Sequence, residues 1–307
     1  MSYSMAIPTS RTKEPGIISI NQEKCRGCGK CVAVCGDLNL ELCEGKARPS
    51  NHGVFECFSC GQCMAVCPEE AIRVQGRFLS FADLIPLPAK ESAASYENLM
   101  NLFIRRRSIR KFRKLPVEAH VVEKILAAAQ TAPMGIPPSD IHVMVLDTRE
   151  KVRAFAEDYC RYLEKIKWFS SNWFLTLMKP FWGKETDELF RNFLRPLMDK
   201  YISSMKMGEN VVNYDAPVAM YFYGTPYTDP ADPIIAATYA MIAAESLGLG
   251  TCMLGAVHPF IQSGKAARKF REKHGIRFKS REGIFLAFGY HKVEFLKGIR
   301  RSFASIN

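Results

Sequence analysis

Eight cysteines in the first quarter of the chain form two runs of one pattern. Cys25, Cys28, Cys31 and Cys35 follow C-x2-C-x2-C-x3-C, and Cys57, Cys60, Cys63 and Cys67 repeat it 32 residues later. Three thiolates within seven residues wrap one face of a cubic cluster, and a fourth ligand must arrive from elsewhere. Zinc, the competing occupant, is usually held by separated C-x2-C pairs, one from each of two knuckles. A third cysteine at the same spacing reads as iron–sulfur chemistry, two [4Fe–4S] clusters in all. The chain has eleven cysteines. Cys43 reads as a small core residue or a spare thiol near a cluster. Cys160 and Cys252 read as buried apolar residues. Residues 1–20 lack a basic segment followed by an apolar one. The thiols are therefore expected to be reduced and metal-binding, not disulfide-bonded.

A second concentration of chemistry follows. Residues 105–111 hold Arg105, Arg106, Arg107, Ser108, Arg110 and Lys111. Guanidinium forks match phosphate oxygens in geometry and keep their charge at any physiological pH. The same run also reads as a solvated helix end. Nucleic-acid binding is disfavoured, because no nucleic-acid motif or basic stripe interleaved with aromatics accompanies it. There is no G-x-G-x-x-G after a strand, so no dinucleotide-binding domain is expected. Tyr214, Asp215 and His258 are polar candidates for acid–base work and are each read as structural.

The elements that must position these groups divide the chain. Residues 1–80 contain the cysteine repeat. Residues 81–95, with Pro86, Pro88 and the run Ser92-Ala93-Ala94-Ser95, have the composition of a linker. Residues 96–307 mix helices and strands without a regular βαβ repeat, which suggests an α+β sheet domain. Helices are expected over Tyr96–Arg107 and Val117–Gln130, the latter opened by Pro116. Strands are expected over Ile141–Leu146, Val218–Tyr223 and Ile284–Tyr290. Ile234–Val257 is almost wholly apolar but holds Glu245, so it reads as a buried helix opened by Pro233 and ended by Gly248, not as a membrane span. Residues 160–212 exceed any ordinary loop. They read as a helical insertion broken at Pro180 and Pro196, rich in aromatics and a candidate lid.

Residues 17–77 resemble the bacterial two-cluster ferredoxin module. Pro68 follows Cys67 as in that signature, whereas Gly36 follows Cys35 as a departure. In that module the last cysteine of each run serves the other cluster. The resemblance thus implies one cluster on Cys25, Cys28, Cys31 and Cys67, and the other on Cys57, Cys60, Cys63 and Cys35.

Residues 96–301 resemble the FMN-dependent nitroreductase family, through four stretches in order. Arg106-Arg107-Ser108-Ile109-Arg110-Lys111-Phe112 is similar to its R-R-S-x-R-x-F opening. Ala127 to Gly135 is similar to the helix and A-P-x-G loop over the flavin. Ala243 to Cys252 is similar to its A-A-E-x-L-G-L-G-x-C helix and turn. Gly283 to Tyr290 with Arg300 and Arg301 is similar to the final strand and basic tail. The resemblance implies that Arg106, Arg107, Ser108 and Arg110 hold the FMN phosphate and ribityl chain, with Arg300 or Arg301 adding to the phosphate site. It places Pro133, Met134 and Gly135 against the isoalloxazine and the amides of Leu254 and Gly255 at its N5 edge. It also implies a homodimer with FMN at the interface. Where the family often continues x-N-x-Q-P, Ile136-Pro137-Pro138-Ser139-Asp140 lacks the flavin-contacting amides and carries two stiffening prolines.

The composition is that of a folded, non-fibrous chain: 307 residues, 48% apolar and 24% charged, with a net charge of +11. That charge is uneven, +1 over residues 1–80 and +10 over the rest. The expected architecture is α+β, a small ferredoxin-like domain followed by a central sheet flanked by helices. The expected activity is an iron–sulfur flavoprotein oxidoreductase, with flavin N5 carrying the chemistry. Electrons would pass from the clusters to FMN and on to a nitroaromatic, quinone or activated alkene. An external ferredoxin or another low-potential donor is expected to supply the electrons, with NAD(P)H as the alternative, and the expected setting is the cytoplasm of an anaerobic or low-oxygen organism. The alternative is a non-catalytic electron-transfer or flavin-binding module of a larger redox complex.

Overall fold

A computed structural model of the chain describes residues 15–306 apart from Asp37, Val54, Phe78 and 136–139. The chain divides into two compact units. One comprises the described residues of 1–94 with 134–141 and 225–232, and the other comprises the remainder.

In the first unit the repeat of the cysteines is also a repeat of the backbone. β1 (Ile17–Ile20), α1 (Lys30–Ala33), β2 (Leu40–Cys43), β3 (Lys46–Pro49), α2 (Gln62–Ala65) and β4 (Ile72–Gln75) follow in order. α1 and α2 are single turns entered through Gly29 (φ 72°) and Gly61 (φ 75°), 32 residues apart. Two residues earlier in each copy stand Gly27 (φ 68°) and Ser59 (φ 56°), both left-handed. Gly27 has a second reason to be glycine, since a β-carbon there would lie 1.8 Å from the Gly45 carbonyl oxygen. β1 pairs antiparallel with β4, and β2 with β3. The β2–β3 turn is Glu44-Gly45, both with positive φ, the geometry whose twist matches a two-residue hairpin. Leu40, Ala47, Met64, Ile72 and Val74 pack with Cys25, Cys31 and Cys63 in this unit's core.

The second unit begins with α3 (Tyr96–Arg105), capped by Ser95, whose hydroxyl accepts from the Asn98 N–H at 3.2 Å. α3 ends at Arg105, short of the expected Arg107, because Arg106 turns extended (φ −57°, ψ 128°). α4 (Ala119–Gln130) starts at Ala119 with Glu118 as its N-cap, so Pro116 precedes the helix and does not open it. β5 (Ile141–Leu146), β6 (Val218–Gly224), β7 (Gly250–Leu254) and β8 (Gly283–Gly289) form one sheet in the order β5-β6-β8-β7. β8 pairs antiparallel with both β6 and β7. Every residue of β6 is buried, as a central strand covered on both faces requires. α8 (Asp232–Ser246) buries Ala236, Ala237, Ala240 and Ala244, small side chains that permit close approach. The apolar run 234–257 is therefore a helix and a strand in succession, with left-handed Gly248 (φ 79°) between them. Among the described residues no helix is long and apolar enough to cross a membrane.

The long insertion is helical but is divided elsewhere than expected. α5 (Arg149–Ile166) begins before Cys160 and runs through it. In α6 (Asn172–Leu189) Pro180 sits inside the helix, and the break falls at Gly183 (φ 78°, ψ 176°), a conformation restricted to glycine. A π-helical turn over Phe190–Leu194 leads directly into α7 (Arg195–Lys206), where Pro196 occupies the first turn and breaks nothing. α9 (Val257–Phe260) and α10 (Lys265–Lys273) follow β7. The stiffened loop expected at Ile136–Ser139 lies outside the described residues.

Candidate functional site

The thiols gather in two groups of four. One concavity of the first unit is lined by Cys25, Cys28, Cys31 and Cys67, and another by Cys35, Cys57, Cys60 and Cys63. Each group joins three cysteines of one run to the last of the other. Among the described residues no group of three or more His, Cys, Asp or Glu could hold a single metal ion. Four thiols spread around a hollow suit a polynuclear cluster better than one zinc. The surroundings favour thiolate at Cys25, whereas burial and then neighbouring cysteines push the Cys31 and Cys63 thiols up. The Ala47 N–H donates to Cys25 Sγ at 3.5 Å and the Ala71 N–H to Cys67 Sγ at 3.3 Å. The Ala47 hydrogen bond draws the Cys25 pKa down against burial, helped by Gly27 and Lys46. Lys46 Nζ donates to the Cys25 carbonyl. At the other group Ser59 Oγ is buried and unpartnered. A β-carbon on Gly16 would come 2.3 Å from that oxygen and 3.1 Å from Cys57 Sγ. Cys43 ends β2 opposite Lys46 and lines neither hollow.

In the second unit the basic run is an extended segment tied at both ends. Ser108 bridges Thr251 of β7, and the Ile109 N–H donates to the Thr251 carbonyl at 2.8 Å. Beyond it, Phe112 bridges His291, and the Arg113 N–H donates to the Tyr290 carbonyl at 2.8 Å. Extended backbone alternates its side chains, so Arg106, Ser108 and Arg110 share one side and Arg107 and Ile109 the other. Arg106 and Arg110 both act on Cys252: burial pushes its thiol pKa up, and Arg110 and then Arg106 pull it down. Arg106 Nη1 is 3.7 Å from Met241 Sδ, and the Arg110 guanidinium lies 6.0 Å above the Tyr214 ring. Among the described residues neither arginine pairs with a carboxylate. Thr251 Oγ1, on the strand that Ser108 bridges, is fully buried without a partner. Two guanidiniums without a carboxylate partner form a donor set suited to a phosphate.

Arg107 stands apart from that pair. It lines a cavity of about 590 Å³ together with Arg105, Glu245, His291 and Lys297. A β-carbon on Gly298 would lie 3.0 Å from its Nη2, so the C-terminal segment passes directly over it. Arg300 and Arg301 follow as exposed residues of irregular backbone. Burial raises the Glu245 pKa, and Arg105, His291, Arg106 and Arg107 oppose the rise. Sequence reasoning named Arg105 within the basic run but missed His291 and Lys297 here. Those two come from a remote segment with no shared motif, and only the acid in an apolar run signalled Glu245.

Leu254 closes β7 and is buried, whereas Gly255 is exposed, and a β-carbon on it would lie 3.8 Å from Ile284 Cδ1, an ordinary contact. Pro133 is exposed. Gly135 is fixed in the first unit: its N–H donates to Asp232 Oδ1 at 2.8 Å, and a β-carbon on it would lie 3.0 Å from that of Asp229. Met134 beside it is half-buried. Of the polar candidates, Asp215 pairs with Arg153 at 2.9 Å and accepts from Asn210 at 2.7 Å. His258 is buried, with Nδ1 2.8 Å from the Tyr221 hydroxyl. Both are engaged structurally, and Tyr214 is the one that meets the basic run.

The architecture is thus an α+β sheet unit carrying a basic extended segment on its β7 edge, with a small unit holding eight paired-off thiols. Residues 104–290 match the nitroreductase family model, and the chain belongs to that family. Residues 17–68 match the model of the 4Fe-4S dicluster domain. Similar solved structures include a nitroreductase with bound FMN from Bacteroides fragilis, 17% identical over 68% of this chain and 97% of that one, TM-score 0.49. Another is a nitroreductase with bound FMN from Desulfitobacterium hafniense, 19% identical over 68% and 98%, TM-score 0.48. An FMN-dependent nitroreductase from Clostridium difficile is 18% identical over 69% and 100%, TM-score 0.45. No curated protein matches the chain.

Proposed function

We propose that the chain is an iron–sulfur flavoprotein oxidoreductase, with two [4Fe–4S] clusters in the first unit and FMN in the second. The observation that carries this reading is the presence of both donor sets in one chain: two four-thiol hollows, and the Arg106–Arg110 pair without a carboxylate partner. Bound FMN supplies hydride chemistry at N5 toward a nitroaromatic, quinone or activated alkene. The residues of the chain bind and orient it. Arg106 and Arg110 neutralise the phosphate, Ser108 offers its hydroxyl to the ribityl chain, and the Leu254 and Gly255 amides face the ring. Arg107, with Arg300 or Arg301, adds charge from the tail. The tail also supports a homodimer, because Leu296, Phe303 and Ile306 each expose more than four-fifths of their surface. Large apolar side chains left this exposed are the material from which an interface is built.

The proposed electron order runs from clusters to flavin, with an external ferredoxin as donor. Stopped-flow absorbance tests it. Reduced ferredoxin or a dithionite-reduced viologen should reduce the flavin faster than NADH or NADPH does. Cys60→Ser should slow that reduction while FMN stays bound. Full-rate flavin reduction by NADPH in the Cys60→Ser protein would show that the clusters are not the entry port. Failure of any nitroaromatic or quinone to turn over would favour a non-catalytic electron-transfer module.

A further inference from the structure

The geometry points to a second ligand site in the sheet unit, a cavity that binds a planar aromatic molecule bearing an anionic group. The cavity measures about 540 Å³ and lies between the helical insertion and the segment α9–α10. That volume is in the usual range for small-molecule pockets. None of the residues singled out for the clusters or FMN lines it.

Its walls are aromatic and held in place. Tyr162, Trp168, Phe169, Phe190 and Phe260 surround it. The Tyr162 hydroxyl donates to the Phe260 carbonyl, so that side chain presents only its ring. Phe190 is clamped edge-on by Phe169 (5.8 Å, 87°) and stacked on Trp182 (5.0 Å, 14°). Trp168 rests edge-on against Phe174 (5.2 Å, 77°), and 58% of its surface stays open. Rigid ring walls accept a flat aromatic molecule by offset or edge contact, without first having to order themselves.

The rim is positive. Lys265 lines it and makes no ion pair among the described residues. Lys265 is also the first residue of the nine-residue α10, which starts at Gly264 with no side-chain cap and no acid in its first turn. The leading N–H groups of that helix therefore point unsatisfied toward the same rim. An ammonium beside free helix N–H groups favours a carboxylate or sulfonate. With aromatic walls below, the ligand class is an aromatic acid.

Calorimetric titration of the full-length, flavin-loaded protein with 2-naphthoate, and with the uncharged 2-naphthamide, tests the site. One naphthoate should bind per chain. Lys265→Gln should weaken naphthoate about 2- to 5-fold, the scale of an exposed ion pair, and leave the amide unchanged. Trp168→Ala should weaken both, with the near-UV circular dichroism of the remaining aromatics retained. No saturable naphthoate binding, or binding indifferent to Trp168, overturns the site. Equal effects of Lys265→Gln on acid and amide overturn the anionic class. If naphthoate fails to bind and Trp168→Glu splits an oligomer in light scattering, the cavity is a contact between copies. Any of these results leaves the FMN assignment standing, and loss of FMN from Arg106 or Arg110 variants leaves naphthoate binding unchanged.

Discussion

Gly250 leaves room for Ile109: a β-carbon on residue 250 would lie 2.4 Å from Ile109 Cγ1 and 2.9 Å from its Cβ. The contact is what lets the segment 106–112 lie flat along β7, with the Ile109 N–H on the Thr251 carbonyl. Gly250 has no unusual backbone angle, so space is the only reason for glycine. Gly250→Ala should therefore lift the segment, cost about 1–3 kcal/mol of stability as other overpacking changes do, and release FMN. Thermal melting and flavin retention after gel filtration measure both, and an unchanged melt with full flavin would refute the argument.

Arg106→Ala and Arg110→Ala should each weaken FMN binding by about 1.5–3 kcal/mol, the range for a hydrogen bond to a charged group. That is roughly 10- to 150-fold in Kd, read by flavin fluorescence on dilution. Full flavin content in both variants would move the phosphate elsewhere, with the Arg105–Arg107–Lys297 cavity the next place to look.

Anaerobically purified protein should be brown and hold about eight iron and eight sulfide per chain. Cys67→Ser should lose close to half of each. Mass spectrometry after alkylation should then find Cys25, Cys28 and Cys31 modified, and Cys57, Cys60 and Cys63 protected. The opposite labelling would mean that each run feeds its own cluster.

His258 gives the sheet unit an acid-sensitive point. Burial holds its pKa below the ordinary value of 6.5, against the Arg281 carbonyl and Glu282. The imidazole is therefore neutral when folded, and the unfolded chain binds the proton first. Stability from this group is complete well above pH 6.5 and falls as pH drops through and below it. His258→Gln should flatten the dependence of Tm on pH between 7 and 5, and an unchanged slope would assign the sensitivity to other groups.

Much of this arrangement was legible because it is local. The 32-residue repeat of cysteines extends to Gly29 and Gly61 and to the single helical turns they open. The strand cores over 141–146, 218–223 and 284–289 follow from β-branched and aromatic runs. Errors arose where a residue type has two uses. Pro180 was read as a break, yet its neighbours carry the helix through it, and the break belongs to Gly183. Pro116 was read as the first helical residue, and the chain waits three residues longer. The helix end at Gly248 was read correctly, but the strand β7 behind it was hidden, since a buried helix and a buried strand have the same composition. The Glu245 cavity was not legible at all, because it is assembled from segments some 140 and 190 residues apart in sequence.

The exchange of Cys35 and Cys67 between the two hollows has a consequence for assembly. Neither copy of the repeat can complete a four-thiol site alone, so filling either one fixes the ends of both α1 and α2. Filling the first hollow therefore holds one ligand run of the second in register, and loss of one cluster frees a thiol carried by the other run. Each cluster steadies its neighbour's ligands without being needed for its neighbour's presence, so the two electron stores are coupled through the backbone that joins them.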